Sequence, residues 1–249
     1  MIRFFIAILL NLKRGPSLVS HMRKMTKHMD RYPEKVRYAY ALRLIRYLMK
    51  SARITTEVFG VENLPTDGGY VMYPNHQGKY DALGIMYAHH NPCTFVMDKA
   101  KSYGFLVREL VDLLGAKRLA LDDVRQNVRI MEQITKEVKE GKRYILFSEG
   151  GYDRNGNLVQ RFKPGSFKCA MNAKAPIVPV TLIDSYIAFN SLKPGPVNTK
   201  VIFGKPIYYE EYNGMKTHEI ASLVRNTIIN TMEEHGVHDN TQSNPEILT

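Results

Sequence analysis

The run Asn75-His76-Gln77-Gly78-Lys79-Tyr80-Asp81 can bring an imidazole and a carboxylate together. It comes after a short apolar stretch, residues 70–73, that reads as a strand. Pro74 and Gly78 keep the connection from continuing as regular helix or strand. Side chains five apart on one helix point about 140° apart, because each residue turns about 100°. His76 and Asp81 therefore meet only if the histidine sits in the loop and the aspartate in the first turn of the next helix. A carboxylate beside an imidazole fixes its tautomer and stabilises the imidazolium formed when the ring takes a proton. The chemistry on offer is that of a general base for a hydroxyl. Taken alone, the spacing is met more often by an aspartate that caps the helix and a hydrogen-bonded loop histidine.

The chain downstream of this loop changes that balance. Residues 142–151, Lys-Arg-Tyr-Ile-Leu-Phe-Ser-Glu-Gly-Gly, form another apolar strand ending in an acidic-glycine turn. Phe162-Lys163-Pro164-Gly165 and Ala175-Pro176-Ile177-Val178-Pro179-Val180 come next. In order and spacing, residues 70–183 resemble the glycerophospholipid acyltransferases, in particular the bacterial 1-acylglycerol-3-phosphate acyltransferases. That family carries Asn-His-x4-Asp, a Gly-rich block with a basic residue, Phe-Pro-Glu-Gly-Thr-Arg, and a Val-Pro-Val-like strand. His76 and Asp81 match the first motif outright, and Glu149 and Gly150 match the third. Ser148 replaces the family proline, Gly151 the threonine and Tyr152 the arginine that would help hold an acceptor phosphate. Arg154 or Lys163 are the candidates to stand in for it. The second block, Gly115-Ala116-Lys117-Arg118-Leu119, keeps the glycine and offers Arg118 as its base; Lys99 lies where relatives often carry a lysine.

The resemblance implies acyl transfer from a thioester to the free hydroxyl of a lysophospholipid such as lysophosphatidic acid. His76 would be the general base and Asp81 its orienting partner. Asn75, Lys99, Arg118, Glu149, Gly150 and Arg154 would line the acceptor side. Forming an oxygen ester from a thioester is downhill, so no cofactor or metal is expected. The donor would be acyl carrier protein or acyl-coenzyme A. The altered third motif keeps open a different lysolipid acceptor, such as a lyso-aminolipid; a catalytically inactive peripheral membrane-binding protein is the other alternative. No Gly-x-Ser-x-Gly elbow is present for a serine hydrolase.

Composition narrows the partners. The chain has 249 residues, enough for one large α/β domain, with no linker-like or repeated stretch. Its 35 Lys and Arg against 24 Asp and Glu give a net charge of +11, which favours an anionic partner. Without zinc-ligand spacing or a nucleic-acid motif, that partner is expected to be a membrane with anionic lipids rather than nucleic acid. Cys93 and Cys169 are far apart and read as packed thiols in a reducing compartment.

The first ten residues are apolar apart from Arg3. That is half the length of about 20 that a spanning helix needs, and Lys13-Arg14 does not resemble a signal cleavage site. Residues 34–53 project as a basic amphipathic helix. Val36, Tyr40, Ala41, Leu44, Ile45, Tyr47 and Leu48 form the apolar arc, with Arg37 the exception to the opposite basic face. That arc either lies on an anionic surface or packs on the catalytic domain. With the apolar terminus, the expectation is peripheral or monotopic attachment at the cytoplasmic face of the membrane.

The expected fold is α/β: a mixed central sheet of about seven strands flanked by helices, preceded by an N-terminal helical membrane-association segment. Strands are expected at residues 54–59, 70–73, 94–97, 118–121, 144–147, 177–183 and 199–203. Helices are expected at 81–90, 105–114, 124–140 and 216–235. The boundaries are 1–53 for the amphipathic segment, 54–237 for the catalytic domain and 238–249 for a polar tail. In such a sheet the reactive loops lie beyond strand ends, so 75–81 and 149–154 can face one cleft.

Overall fold

A computed structural model describes residues 2–13, 15–89, 91–120, 123–152, 155–190 and 195–238. Three helices lead in: α1 (Ile2–Leu10), α2 (Gly15–Lys27) and α3 (Glu34–Ala52). Then come β1 (Ile54–Phe59), β2 (Tyr70–Pro74), α4 (Asp81–Ala88), β3 (Thr94–Asp98), α5 (Val107–Leu113) and β4 (Lys117–Leu119). They are followed by α6 (Val124–Lys139), β5 (Arg143–Ile145), α7 (Lys168–Ala173), β6 (Ile177–Ile183) and α8 (Ser185–Asn190). The described chain closes with β7 (Val197–Phe203), α9 (Tyr209–Tyr212) and α10 (Thr217–Glu234).

The seven strands form one mixed sheet in the order β1-β7-β6-β2-β5-β3-β4. β6, β2, β5, β3 and β4 are parallel, whereas β7 is antiparallel to β6 and carries β1 with it. Strand β2 is central, and all five of its residues are buried, because both sheet faces are covered. Its side chains alternate between the layers. Tyr70 and Met72 join the core beneath α1–α5 and α8, while Val71 and Tyr73 join the one beneath α6, α7 and α10. β6 divides the same way, with Val178, Val180 and Leu182 on one side and Ile177 and Ile183 on the other.

The seven expected strands are all present, with β5 ending at Ile145 instead of residue 147. The N-terminal helices depart further from expectation. In α3 the arc residues Ala41, Leu44, Ile45 and Leu48 are buried, and the helix packs on α1, α2, α4, α5 and β1. Most of its apolar arc is therefore part of the protein core, with Tyr40 and Tyr47 half-buried against it and Val36 exposed. Arg37 breaks the basic face because it reaches inward, donating to the carbonyls of Tyr32 (3.1 Å) and Leu113. Gly15-Pro16, which follows the first apolar run and would end a helix there, instead begins α2; proline is compatible with a helix's first turn because the amide it lacks would have no partner there. No described helix is long and apolar enough to cross a membrane. Beyond His238 the polar tail lies outside the described residues.

Candidate active site

The parallel strands place their C-terminal ends on one edge of the sheet. The loop after β2, the turn after β5 and the ends of β3 and β4 therefore share a rim. Helix α4 begins at Asp81, and His76 lies in the loop before it. His76 Nδ1 donates to Asp81 Oδ2 at 2.6 Å. The same oxygen accepts the backbone amides of Gln77 (2.6 Å) and Gly78 (2.8 Å), and Oδ1 accepts the Ser185 hydroxyl at 2.5 Å. Asp81 thus turns back over the loop instead of capping its own helix. It is fully buried, and the four donors offset the cost of desolvating a carboxylate there. With Nδ1 committed, Nε2 is the ring's basic atom, and the His76 side chain keeps 18% of its surface open.

The loop is fixed by polar contacts to the end of β6. Asn75 exchanges two hydrogen bonds with the backbone of Leu182, at 2.7 and 3.0 Å. The Gln77 amide donates to the Leu182 carbonyl (2.8 Å) and to Asn157 Oδ1 (2.9 Å), and its oxygen accepts from the Ser185 amide (2.8 Å). Asn157 in turn donates to Asp184. Two rings confine the imidazole: Phe147 stacks on it at 4.1 Å and Tyr152 meets it edge-on at 4.6 Å.

Glu149 approaches the loop from the turn after β5. Its Oε1 accepts the His76 backbone amide at 3.0 Å, whereas Oε2 is buried with no hydrogen-bond partner. Burial pushes this carboxyl well above the usual range, and the nearby Asp81 charge adds to the effect. Gly150 has φ +78°, and a Cβ there would lie 2.2 Å from Lys163 Nζ, so glycine is what lets the lysine cross this turn.

The remaining sequence candidates separate. Asn75 is fully buried with both amide atoms spent on Leu182, which makes it a positioning residue and not a substrate contact. Arg118, the basic residue of the second block, is paired with Asp112 (2.5 Å) and Ser102 (2.9 Å). Lys99 is exposed at the end of β3, where its amide donates to Leu119. Arg154 lies outside the described residues. Sequence reasoning missed Ser185, Gln77 and Asn157. The polar pair Asp184-Ser185, directly after the apolar β6, was the available signal. Cys93 and Cys169 are buried, and burial pushes the Cys93 thiol up to about 12, consistent with packed thiols.

A family model described as "Acyltransferase" matches residues 55–183, and the chain belongs to that family. Among named proteins, it is 24% identical over 222 residues to a probable 1-acyl-sn-glycerol-3-phosphate acyltransferase of Mycoplasma pneumoniae, covering 83% of this chain and 82% of that one. It is 26% identical over 208 residues to the Mus musculus 1-acyl-sn-glycerol-3-phosphate acyltransferase alpha, covering 78% and 70%. The fold resembles the crystal structure of the 1-acyl-sn-glycerophosphate (LPA) acyltransferase PlsC from Thermotoga maritima. The TM-score is 0.70 over 94% of each chain, at 21% identity.

Proposed function

We propose that the protein acylates the free hydroxyl of 1-acylglycerol 3-phosphate, making phosphatidic acid from an acyl thioester. The observation that carries this reading is the Asp81-held imidazole of His76 at the end of the central strand, in a chain of the acyltransferase family. His76 Nε2 takes the hydroxyl proton as the oxygen attacks the thioester carbonyl, and Asp81 stabilises the imidazolium. The tetrahedral adduct then breaks its C–S bond, and the departing thiolate takes the proton back from His76. The names of the relatives support lysophosphatidic acid as acceptor. Acyl carrier protein and acyl-coenzyme A are both anionic donors that suit a +11 chain. Tyr152 in place of the family arginine favours a second reading, transfer to another lysolipid. The intact His76–Asp81 pair speaks against an inactive membrane-binding protein.

We place the enzyme on the cytoplasmic face of the membrane, with the rim toward the lipid. Because β1 runs against the five parallel strands, its start and the end of α3 lie at the rim edge. Helix α1 is tied to that end of α3 through Asn11–Ser51 (2.7 Å) and Arg3 to the Ala52 carbonyl (3.2 Å). It exposes Phe5, Ile6, Leu9 and Leu10, and Phe105 is exposed in the turn between β3 and α5.

The test is an assay of purified protein with labelled lysophosphatidic acid and each donor, with His76→Ala as control. Phosphatidic acid should form, and the variant should lose about 10²–10⁴-fold in kcat, the usual worth of a general base. Wild-type turnover by His76→Ala would sink the assignment.

A further inference from the structure

We infer that Lys101 and Lys163 bind the acceptor's phosphomonoester in place of the absent arginine, with Tyr152 as the wall between their site and His76. The assignment rests on the acyl-transfer reading above. Tyr152 occupies the arginine's position, and its ring meets His76 edge-on at 4.6 Å. Over that same ring stands the Lys101 ammonium, 5.9 Å from its centroid, so one aromatic ring links the base and a cation. Lys163 arrives from the other side of the motif. Its ammonium lies so close over Gly150 that an added Cβ would sit 2.2 Å from Nζ and 2.6 Å from Cε. Gly150 adjoins Glu149, which holds the His76 amide, so this charge stands one residue from the histidine's own anchor.

The two basic groups of the second block are spent. Arg118 is paired with Asp112, and Lys117 with Glu137. Among the described residues, Lys101 and Lys163 are both exposed and neither forms an ion pair. Two ammoniums without an ion pair, one over the ring that meets His76 and one over Gly150, lack only an anion. A phosphomonoester on the carbon next to the reacting hydroxyl's carbon supplies one. Lysine binds as a point charge, whereas arginine would impose a bidentate fork. The pair should therefore select for negative charge more than for the shape of the headgroup.

Lys101→Met, Lys163→Met and the double variant would be assayed with lysophosphatidic acid and with monoacylglycerol, which lacks the phosphate. Lys139→Met, on the exposed face of α6, is the control. Each single variant should raise the lysophosphatidic acid KM by about 10–100-fold, the worth of one hydrogen bond to a charged group, with kcat little changed. The monoacylglycerol KM and the control should not move. An unchanged acceptor KM in the double variant, with wild-type protein active, overturns the assignment and leaves the acyltransferase reading standing. An equal rise for both acceptors also overturns it, because the lysines would then not be reading the phosphate. Wild-type protein that does not acylate lysophosphatidic acid overturns both.

Discussion

Four donors on the Asp81 carboxylate and two rings around His76 leave the imidazole little freedom, the rigidity that its proposed role as general base requires. Glu149 adds a pH dependence of its own. Its folded pKa is raised by burial, so above the ordinary carboxyl value of about 4.3 the folded state holds a proton that the unfolded chain has lost. Stability at this residue is therefore full below that value and falls as pH rises toward the raised folded pKa. Glu149→Gln keeps an acceptor for the His76 amide and has no proton to lose. It should melt above wild type once the pH exceeds the ordinary carboxyl value, with a gap that widens as pH rises toward the raised folded pKa, and keep most of kcat. A pH-independent gap together with inactivity would refute the neutral carboxyl. At this scale the sequence revealed His76 and Asp81, because the two ends of the pair lie five residues apart and a turn suffices to join them. Ser185 was invisible: it meets Asp81 across 104 residues of chain, and only the sheet's strand order brings them together.

Among the elements, the central strands were legible for a physical reason. β2 and β6 bury both faces, so they read as unbroken apolar runs bounded by turn residues. Helix α3 was ambiguous for an equally physical reason, since an apolar arc suits a protein core and a lipid surface alike. Helix α2 buries Leu18, Met22 and Met25 on a single face, a helical period that the stop-like Gly15-Pro16 conceals. On the other side of the sheet, the last turn of α6 is fastened to two strands through Glu137. That carboxylate accepts from Lys117 (2.6 Å) at the start of β4, from Lys142 (2.9 Å) and from Tyr144 in β5. Burial works against its ionisation, but the hydrogen bonds from Lys117, Tyr144 and Lys142 outweigh it and lower the pKa from 4.5 to about 2. The stability it gives is complete above 4.5 and is lost as pH falls toward 2. Glu137→Gln should melt below wild type at pH 7, and the difference should shrink as pH drops through that window. Thermal melts from pH 7 downward measure it, and a gap of constant size would mean that the charge contributes nothing.

For the whole molecule, the proposed reaction requires the rim to reach a substrate held in lipid. The N-terminal helices offer a way to do so, and no described helix is long and apolar enough to cross a membrane. α3 is committed to the core, which frees α1 to turn its outer face away, and Arg3 and Asn11 hold it against the end of α3. Phe5 and Leu9 lie four residues apart on that outer face and are 61% and 68% exposed. Lys24 and Lys27 on α2 are exposed beside the groove that α1 and α2 share with Phe105. Apolar side chains that enter the interface with basic ones at headgroup level favour an anionic leaflet over a neutral one. The double variant Phe5→Asp, Leu9→Asp should therefore bind anionic vesicles far more weakly. Losing two such insertions at about 1.5–3 kcal/mol each lowers partitioning by roughly two orders of magnitude or more. Activity on lysophosphatidic acid presented in vesicles should fall in step, while activity on a short-chain, water-soluble acceptor should hold, because neither residue touches His76. Co-sedimentation with anionic and neutral vesicles at low and high salt reads the binding. Wild-type-like binding by the variant would move the contact surface away from α1. Loss of activity on the soluble acceptor as well would mean that α1 supports the site's fold and not its approach to lipid.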